Sequence, residues 1–280
     1  MGSLPDSGAD IDVVTTFDDP AEVAGLAASR LKGRHALVLT DYDGTLSQLV
    51  DKPSDAVVTG EVRQAFNSLA SIPHLTLGVV SGRRMNDVIE RVGPAAAFVA
   101  GLHGLEICGR GEEFSHRALD EVEPVIARLA LAAERRLAWC PGCFLENKRW
   151  ALTCHVRMAP PDAAERAFEE FEALAEPYLE SRVLRLLIGS KAMELLPAAD
   201  WNKGRAVNWI RARVARDTRT SVSVLYLGDD RTDEDAFTAL AVDDFAVAVG
   251  TRPHSHMIDA RLDGPHSVGE FFEEFKRLRQ

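Results

Sequence analysis

The 280-residue sequence predicts an α/β protein: a Rossmann-like core with a parallel sheet, interrupted by a smaller, inserted α+β domain. The first observation behind this prediction is an alternation of strand and helix patterns in the first half of the chain, which returns after Pro197. Such alternation is typical of right-handed crossovers between parallel strands. The second observation is the order helix, hairpin, helix, hairpin between the two alternating parts, which is typical of a compact α+β module.

The first part of the core supplies three short apolar strands and two helices. The predicted strands are "HALVLTD" at 35–41, "LTLGVVSG" at 75–82 and "AFVAG" at 97–101. The predicted helices between them cover 60–71 and 84–92.

The insert and the second part of the core follow. In the insert we expect helices over 117–138 and 161–180 and strands over 143–148, 150–157, 182–188 and 191–196. Beyond it we expect helices over 203–216, 233–241 and 267–278, and strands over 221–228 and 245–250. The domain prediction is therefore a core of 1–107 and 198–280, with 1–12 disordered, and an α+β domain at 108–197.

Composition excludes several classes of function. The net charge of −11 argues against nucleic-acid binding, which requires a basic surface. The sequence has no run of about 18 apolar residues, so it predicts no membrane span. The acidic start "MGSLPDSGADIDVV" lacks the basic and apolar segments of a secretory signal, so we expect a cytoplasmic protein.

Four cysteines are too few for a disulfide scaffold in a chain of this size. The "CPGC" segment places Cys140 and Cys143 at the spacing of a redox motif or half of a zinc site, which Cys154 and His155 would complete. The alternative is a Pro-Gly turn that leads into a hairpin, with the thiols as small apolar side chains. The sequence favours the turn.

Two carboxylates follow the first predicted strand in "TDYDGT". Asp41 and Asp43 point to the same side of an extended chain, and their repulsion at roughly 5 Å costs about 3 kcal/mol. Gly44 permits a sharp turn, which leaves both carboxylates at the strand end where open α/β sheets bind ligands. A calcium loop is excluded because its twelfth position, which should be Glu, is Lys52.

Three further segments suggest anion and metal chemistry. In "VVSGRR", Ser81 offers a hydroxyl at a strand-to-helix junction, although it would serve equally as a helix N-cap. Lys203 opens a helix, where the macrodipole disfavours a cation, unless it serves a negative ligand nearby. In "LGDDRTDEDAF", the helix dipole explains the later acidic residues but leaves Asp229 and Asp230 unexplained at the end of a buried strand.

Together these residues predict a phosphoryl-transfer site. A parallel sheet can bring the two acidic strand ends side by side, with Lys203 and Arg83 as the nearby positive charges. Carboxylate-dominated oxygen sites suit Mg²⁺, which typically takes its last ligand from a phosphate.

The motifs carry a family resemblance. "LTDYDGTL", "VVSGR", "GLHGLE", "PGCFLENKRWALTCHVR", "MELLPAADWNKGRAV" and "LGDDRTDEDAF" resemble the trehalose-6-phosphate phosphatase family of the haloacid dehalogenase superfamily, over most of residues 35–250. The resemblance implies the superfamily's core fold, a cap domain at 108–197 that closes over the sugar, and a role in trehalose biosynthesis.

The resemblance also implies a role for each core residue. Asp41 would be the nucleophile that forms an aspartyl-phosphate, and Asp43 the general acid and base. Ser81 and Lys203 would hold phosphoryl oxygens. The implied Mg²⁺ ligands are Asp41, Asp43 (through its carbonyl), Asp229 and Asp230. The implied substrate contacts of the core are Gly44, Thr45 and Arg83. Asp233 would orient Lys203.

The family's cap recognises the sugar with a Glu-x-Lys pair, an Arg and a final Glu. These correspond to Glu146, Lys148, Arg157 and Glu194. The chain departs from the pattern at "GSKAME", because Ser190 stands where the family has Lys and Lys191 follows it. A shift by one residue turns a side chain to the opposite face of a strand, so the departure concerns sugar specificity.

The predicted function is Mg²⁺-dependent hydrolysis of trehalose 6-phosphate, with functional coupling to a trehalose-6-phosphate synthase. One alternative is a phosphatase of another glycosyl or pseudo-disaccharide phosphate. Another is a catalytically silent sugar-phosphate-binding partner of a synthase. The complete set of Asp41, Asp43, Lys203 and Asp229 argues against the silent protein, because a binding protein has no need of the second carboxylate.

Overall fold

The computed structural model describes residues 17–189, 191–254 and 258–280. The predicted disorder of residues 1–12 lies outside the described residues, and so does Ser190, where the sequence departs from the family pattern.

Twelve strands occur within the described residues. They are β1 His35–Thr40, β2 Leu75–Val80, β3 Phe98–Gly101, β4 Glu106–Gly109, β5 Glu112–Ser115, β6 Phe144–Asn147, β7 Leu152–His155, β8 Leu184–Ile188, β9 Ala192–Pro197, β10 Val222–Gly228, β11 Phe245–Val249 and β12 Ala260–Leu262.

Eight α-helices occur in the same part of the chain. They are α1 Pro20–Arg30, α2 Gly60–Leu69, α3 Met85–Val92, α4 Ala118–Arg136, α5 Pro161–Glu180, α6 Lys203–Thr218, α7 Glu234–Thr238 and α8 Pro265–Arg279. Short 3-10 turns include Leu102–Gly104 and Arg231–Asp233.

The strands form two sheets. The larger has the order β12-β11-β10-β1-β2-β3-β4-β5 and is parallel from β12 to β3. The smaller is antiparallel, with the order β6-β7-β9-β8. This arrangement confirms the predicted fold class: a parallel-dominated α/β sheet together with a separate α+β layer.

Strand β1 lies in the middle of the larger sheet, and both of its faces are covered. All six of its residues are buried, which explains its nearly continuous apolar sequence. Helices α1, α2 and α8 pack together against one face of the sheet, and α6 and α7 lie against the other. The carboxyl ends of β1, β2 and β10 therefore lie side by side at one edge of a rigid layer.

The four-stranded sheet has its own apolar core. Helices α4 and α5 cover one face with residues such as Ile126, Leu129 and Phe171. The opposite face of this sheet carries polar residues of β6, β7 and β9, and it is turned toward the carboxyl ends of the core strands.

The structure differs from the prediction at the start of the insert. The predicted boundary between residues 107 and 108 falls inside β4, and β4 and β5 extend the larger sheet as antiparallel edge strands. The loop residues Arg110 and Gly111 both have positive φ, as in the type I′ turn that closes two-residue hairpins. Because β4 and β5 belong to the larger sheet, the inserted α+β layer starts at about residue 116. The division of the chain into domains stays a prediction.

Other elements also differ in extent. Helix α1 and the short strand β12 have no counterpart in the prediction, and the helix predicted over 233–241 ends at Thr238. Within the described residues, no helix is both long and apolar enough to cross a membrane.

Burial of β1 predicts a large energetic contribution from its apolar side chains. We expect Leu37→Ala to lower the free energy of unfolding by about 2 to 5 kcal/mol, because a fully buried leucine would leave a cavity in the sheet core. Leu26→Ala on α1 is the matched control, since Leu26 is 58% exposed. Urea denaturation of both variants measures the difference, and equal losses would contradict this assignment of the core.

Candidate active site

A cleft of about 660 Å³ separates the carboxyl ends of the core strands from the four-stranded sheet. Its core wall contains the acidic strand ends and the residues that follow β2. Its other wall is formed by polar residues of the insert. The sequence-predicted residues that line the cleft are Asp41, Asp43, Gly44, Ser81, Arg83, Lys203, Asp229 and Asp230 from the core and Glu146, Lys148, Arg157 and Glu194 from the insert.

Asp41 and Lys203 form a buried ion pair at the base of the cleft. Asp41 directly follows β1, and Lys203 is the first residue of α6. Lys203 Nζ lies 2.9 Å from Asp41 Oδ2, and the lysine side chain is 1% exposed. The other oxygen, Asp41 Oδ1, accepts the Tyr42 backbone N–H at 2.7 Å. The pair explains why a lysine occupies a helix start where the dipole disfavours it.

Asp233 anchors Lys203 from the opposite side. Its Oδ1 accepts hydrogen bonds from Lys203 Nζ at 2.8 Å and from the Tyr226 hydroxyl at 2.6 Å. Its Oδ2 accepts the backbone N–H groups of Asp229 at 3.1 Å and Asp230 at 2.9 Å. With four donors, the Asp233 carboxylate is occupied by the protein itself, so its position supports an orienting role.

Asp229 lies beside Asp41 and is held by Thr45. Thr45 Oγ1 donates to Asp229 Oδ1 at 3.0 Å. Gly44 has φ +82°, and a Cβ at this position would overlap the Asp229 carboxylate. Glycine is therefore required here for two reasons: the positive φ of residue 44 and the close approach of the Asp229 carboxylate.

The carboxylates repel one another strongly. Burial raises the pKa of Asp41 to about 7, against the opposing effect of the Lys203 ammonium, and the Asp233 and Asp43 carboxylates add to the rise. Burial also raises the pKa of Asp229, and the Asp41 carboxylate adds to this rise. One ammonium does not neutralise this group, which is the electrostatic condition that a bound cation relieves.

The oxygen donors of this group fit a hard divalent cation. Carboxylate oxygens of Asp41, Asp229 and Asp233 lie within 4.8 Å of one another. Because Asp233 already accepts four hydrogen bonds, Asp41 and Asp229 are the members with free coordination capacity. An all-oxygen set of this kind suits Mg²⁺.

Asp230 does not join the group in this structure. Its Oδ1 accepts from Arg252 Nη1 at 3.0 Å, and its side chain is half exposed. Asp230 therefore lies outside the group of Asp41, Asp229 and Asp233, and its metal role, as an additional ligand or behind one, stays a prediction. Asp230 is the N-cap residue of the 3-10 turn Arg231–Asp233, and its carboxylate is paired with Arg252.

Asp43 is paired with Arg83. Arg83 Nε and Nη2 each donate to the Asp43 carboxylate at 2.7 Å, which is a bidentate contact. Arg83 Nη1 also donates to Asp87, and Nη2 to the Pro53 carbonyl. The sequence predicted a substrate contact for Arg83, whereas its donors here orient the second carboxylate.

Ser81 ends β2 at the same edge of the sheet. Its hydroxyl accepts the Arg83 backbone N–H at 3.1 Å, and the residue is 1% exposed. The loop 81–83 thus contributes a hydroxyl and a positively charged side chain next to Asp41 and Asp43.

The insert reaches into the cleft through a buried ion pair. Lys148 Nζ lies 2.7 Å from Glu194 Oε1 and donates to the Gly82 carbonyl at 3.2 Å. Although burial favours the neutral acid, the ammonium of Lys148 and the imidazole of His103 lower the pKa of Glu194. Lys148 therefore connects the insert directly to the loop that follows Ser81.

His103 completes this connection and was missed by the sequence reasoning. Its Nε2 lies 3.1 Å from Glu194 Oε2, and because a carboxylate only accepts, Nε2 is the protonated nitrogen. Burial lowers the pKa of His103, against the opposing effect of the Glu194 carboxylate. His103 lies in the motif "GLHGLE". Its backbone has a φ of 57°, and the sequence alone does not show this conformation.

The remaining predicted residues of the insert lie toward the cleft mouth. Glu146 Oε2 pairs with His155 Nε2 at 2.9 Å, and the His155 ring stacks on Phe144. Arg157 is exposed and lies 4.0 Å from Asp51 of the core. Lys191 also lines the cleft, so a lysine is present next to the position that the family pattern assigns to one.

Comparison with known proteins identifies a matching family. The family model described as trehalose-phosphatase matches residues 39–260. Trehalose-phosphate phosphatase B of Arabidopsis thaliana is 30% identical over 260 residues, which cover 88% of this chain and 68% of that protein. Trehalose-phosphate phosphatase of Mycobacterium avium is 35% identical over 230 residues, which cover 81% of this chain and 57% of that protein. The match thus spans little more than half of the mycobacterial relative.

Solved structures agree with the fold. The C-terminal domain of Candida albicans trehalose-6-phosphate phosphatase superposes with a TM-score of 0.74 at 24% identity, and the match covers 91% of this chain and 97% of that one. Trehalose-6-phosphate phosphatase of Aspergillus fumigatus superposes with a TM-score of 0.57 at 27% identity, covering 94% and 99%. The arrangement of sheet and insert is therefore shared with solved phosphatase structures.

The close approach at Gly44 gives a test of the site geometry. We expect Gly44→Ala to reduce phosphate release from p-nitrophenyl phosphate about a hundredfold, because displacing Asp229 by even about 1 Å misplaces the acidic group. Gly33→Ala is the matched control: Gly33 also has positive φ, but a Cβ there has open space. Similar activity losses in the two variants would show that backbone strain, and not the Asp229 contact, is responsible.

Proposed function

The chain belongs to the trehalose-phosphatase family, and we propose that it hydrolyses trehalose 6-phosphate to trehalose and phosphate through an aspartyl-phosphate on Asp41, with Mg²⁺ as cofactor. Family membership makes the protein a phosphoric monoester hydrolase that acts on a sugar phosphate. The observation that carries the proposal is the Asp41–Lys203 pair at the base of a cleft whose opposite wall is lined by polar residues of the insert.

In the proposed reaction Asp41 attacks the phosphorus atom. The bond from Asp41 to phosphorus forms as the bond from phosphorus to the sugar oxygen breaks. Lys203, which is paired with Asp41, and the Ser81 hydroxyl, which lines the same cleft, would hold the phosphoryl oxygens. Water then attacks the phosphorus atom and releases phosphate and the free carboxylate.

Asp43 is the proposed proton carrier. It would protonate the leaving sugar oxygen in the first step and accept a proton from the attacking water in the second. Its bidentate contact with Arg83 fixes the direction of the carboxylate in this structure. Arg83 acts in this proposal through Asp43, and not by binding the substrate directly.

The proposed Mg²⁺ ligands are the carboxylates of Asp41 and Asp229 and the backbone carbonyl of Asp43. A bound Mg²⁺ would supply positive charge that stabilises the phosphoryl oxygens. Thr45 positions Asp229, and the raised pKa values of Asp41 and Asp229 support the need for a cation there.

The insert is proposed to read the sugar. Glu146, Lys148 and Glu194 provide charged hydrogen-bonding groups along the cleft, and Arg157 and Lys191 lie at its mouth. Charged groups strengthen hydrogen bonds to sugar hydroxyls. Coupling to a trehalose-6-phosphate synthase and the cytoplasmic location stay predictions.

Asp41→Asn tests the nucleophile. The amide keeps the size of the side chain but does not form the acyl phosphate, so we expect a folded protein with at most a few per cent of wild-type turnover. Asp243→Asn, at an exposed site outside the cleft, is the matched control and should keep full activity. Circular dichroism checks folding, and substantial turnover by Asp41→Asn would remove Asp41 as the nucleophile.

Removal of the metal tests the cofactor. We expect chelation of divalent cations to abolish phosphate release and added Mg²⁺ to restore it, because one ammonium leaves the acidic group negatively charged toward a phosphate. Binding of Mg²⁺ to the protein without substrate is measured by calorimetry. Full activity after exhaustive chelation would contradict the metal proposal.

Glu146→Ala tests sugar recognition by the insert. We expect kcat/KM for trehalose 6-phosphate to fall about tenfold, since a charge-assisted hydrogen bond contributes about 1.5 kcal/mol or more. Activity on glucose 6-phosphate should change little. Glu172→Ala, an exposed glutamate of α5 outside the cleft, is the control. Equal losses on both sugars would favour a general sugar phosphatase, the alternative substrate class.

A further inference from the structure

We propose that Cys143 and Cys154 are a modification site: an oxidisable thiol pair that forms a reversible disulfide across the β6–β7 hairpin of the insert. The two sulfur atoms lie 3.5 Å apart, and both thiols are free in the structure. A disulfide needs the sulfurs at about 2.05 Å, so formation of the bond requires an approach of about 1.5 Å between the two sulfur atoms.

The 3.5 Å sulfur contact favours this pair, although the sequence spacing suggests Cys140 and Cys143. Cys140 and Cys143 flank a turn in which the Cys143 N–H donates to the Cys140 carbonyl at 3.3 Å, with Pro141 and Gly142 at its centre. Gly142 has φ +80°, and a Cβ there would overlap the Met158 carbonyl, which holds the turn in place. The Cys140 thiol donates to the Ala163 carbonyl at 3.7 Å and also interacts with the Cys143 thiol, so a Cys140–Cys143 bond is the competing outcome.

Strand register brings Cys143 to Cys154. Leu145 pairs directly with Cys154 in the antiparallel hairpin, and Cys143 lies two residues before Leu145, so both cysteines point to the same face of the sheet. Cys143 is partly exposed, whereas Cys154 is fully buried. An oxidant therefore reaches Cys143 first, and Cys154 is in place as the resolving thiol.

The two thiols also differ in acidity in the direction that this order requires. A hydrogen bond with Cys154 lowers the pKa of Cys143, and the same contact together with burial raises the pKa of Cys154. The more accessible sulfur is thus the better source of thiolate, which is the attacking species in thiol oxidation.

The oxidant in the proposed step is a peroxide. The Cys143 thiolate attacks one peroxide oxygen, which gives a sulfenic acid and, after protonation of the leaving oxygen, one water. The Cys154 sulfur then attacks the Cys143 sulfur, the sulfenic oxygen leaves as a second water, and the disulfide forms. Each cysteine loses one electron, and the peroxide is reduced by two. An added dithiol reverses the reaction by exchange.

The disulfide would lie next to the proposed sugar site. Phe144 and His155, the neighbours of the two cysteines, stack with their ring centroids 4.5 Å apart, and His155 holds Glu146 at 2.9 Å. Shortening the distance between the sulfurs shifts this stacked pair. This consequence rests on the proposed function; disulfide formation itself does not.

Tryptic digestion separates the possible pairings. Cleavage after Arg136, Lys148, Arg149 and Arg157 places Cys140 and Cys143 in peptide 137–148 and Cys154 in peptide 150–157. After treatment of the whole protein with hydrogen peroxide and alkylation of free thiols, we expect these two peptides to be linked, and the link to disappear with a dithiol. The link should persist in Cys140→Ser and in the core control Cys108→Ser, and be absent from Cys143→Ser and Cys154→Ala.

Two mass results would overturn the proposal: oxidation confined to peptide 137–148, which means a Cys140–Cys143 bond, or no disulfide at all. Cys143 is partly exposed, so Cys143→Ser decides the test if Cys154→Ala does not fold. In the disulfide-linked protein we expect KM for trehalose 6-phosphate to change about threefold or more, which corresponds to part of the free energy of one hydrogen bond. Turnover of p-nitrophenyl phosphate should stay unchanged. A link with no change in KM would refute the effect on the sugar site, while inactivity of the reduced protein on both substrates would count against the proposed function alone.

Discussion

The buried ammonium of Lys203 is the interaction on which the other parts of the site depend. Removing an ammonium and a carboxylate from water costs several kcal/mol each, so such groups stay buried only when they are paired with good geometry. Lys203 meets this condition through Asp41 and Asp233. Asp233 in turn accepts hydrogen bonds from the backbone N–H groups that follow β10. One rigid network therefore holds Lys203, the proposed nucleophile Asp41 and Asp229.

The same network leaves an excess of negative charge, and this excess links the structure to the proposed chemistry. Asp41 and Asp229 have raised pKa values because burial and neighbouring carboxylates penalise their charged forms. A divalent cation would relieve this penalty and permit a phosphate dianion to approach. The proposed recognition of the sugar is physically separate, because it is assigned to the insert. There Lys148 and Glu194 contact Gly82 and His103 of the core and so join the two walls of the cleft.

The sequence predicted that the acidic ends of two strands meet, because this part of the geometry follows from local rules. Residues at the carboxyl ends of neighbouring parallel strands meet at one edge of the sheet, and this places Asp41 beside Asp229. Contacts made across long sequence distances could not be predicted in this way. His103 and Glu194 are 91 positions apart and meet only through the orientation of the insert. The Cys143–Cys154 contact depends on strand register, and Asp230 pairs with Arg252, which lies 22 positions later in the chain. The hairpin of β4 and β5 was missed because its strands are short and half exposed.

Chemical trapping of the phosphoenzyme is the most direct test of the central claim, that Asp41 takes the phosphoryl group. Borohydride reduces an acyl phosphate to an alcohol, so it converts a phosphorylated aspartate to homoserine and leaves a free carboxylate unchanged. In protein quenched during turnover of trehalose 6-phosphate, the account predicts homoserine at Asp41 in tryptic peptide 35–63, which also contains Asp43 as an internal control. Homoserine at Asp43, or none at either position in actively turning-over protein, would contradict it.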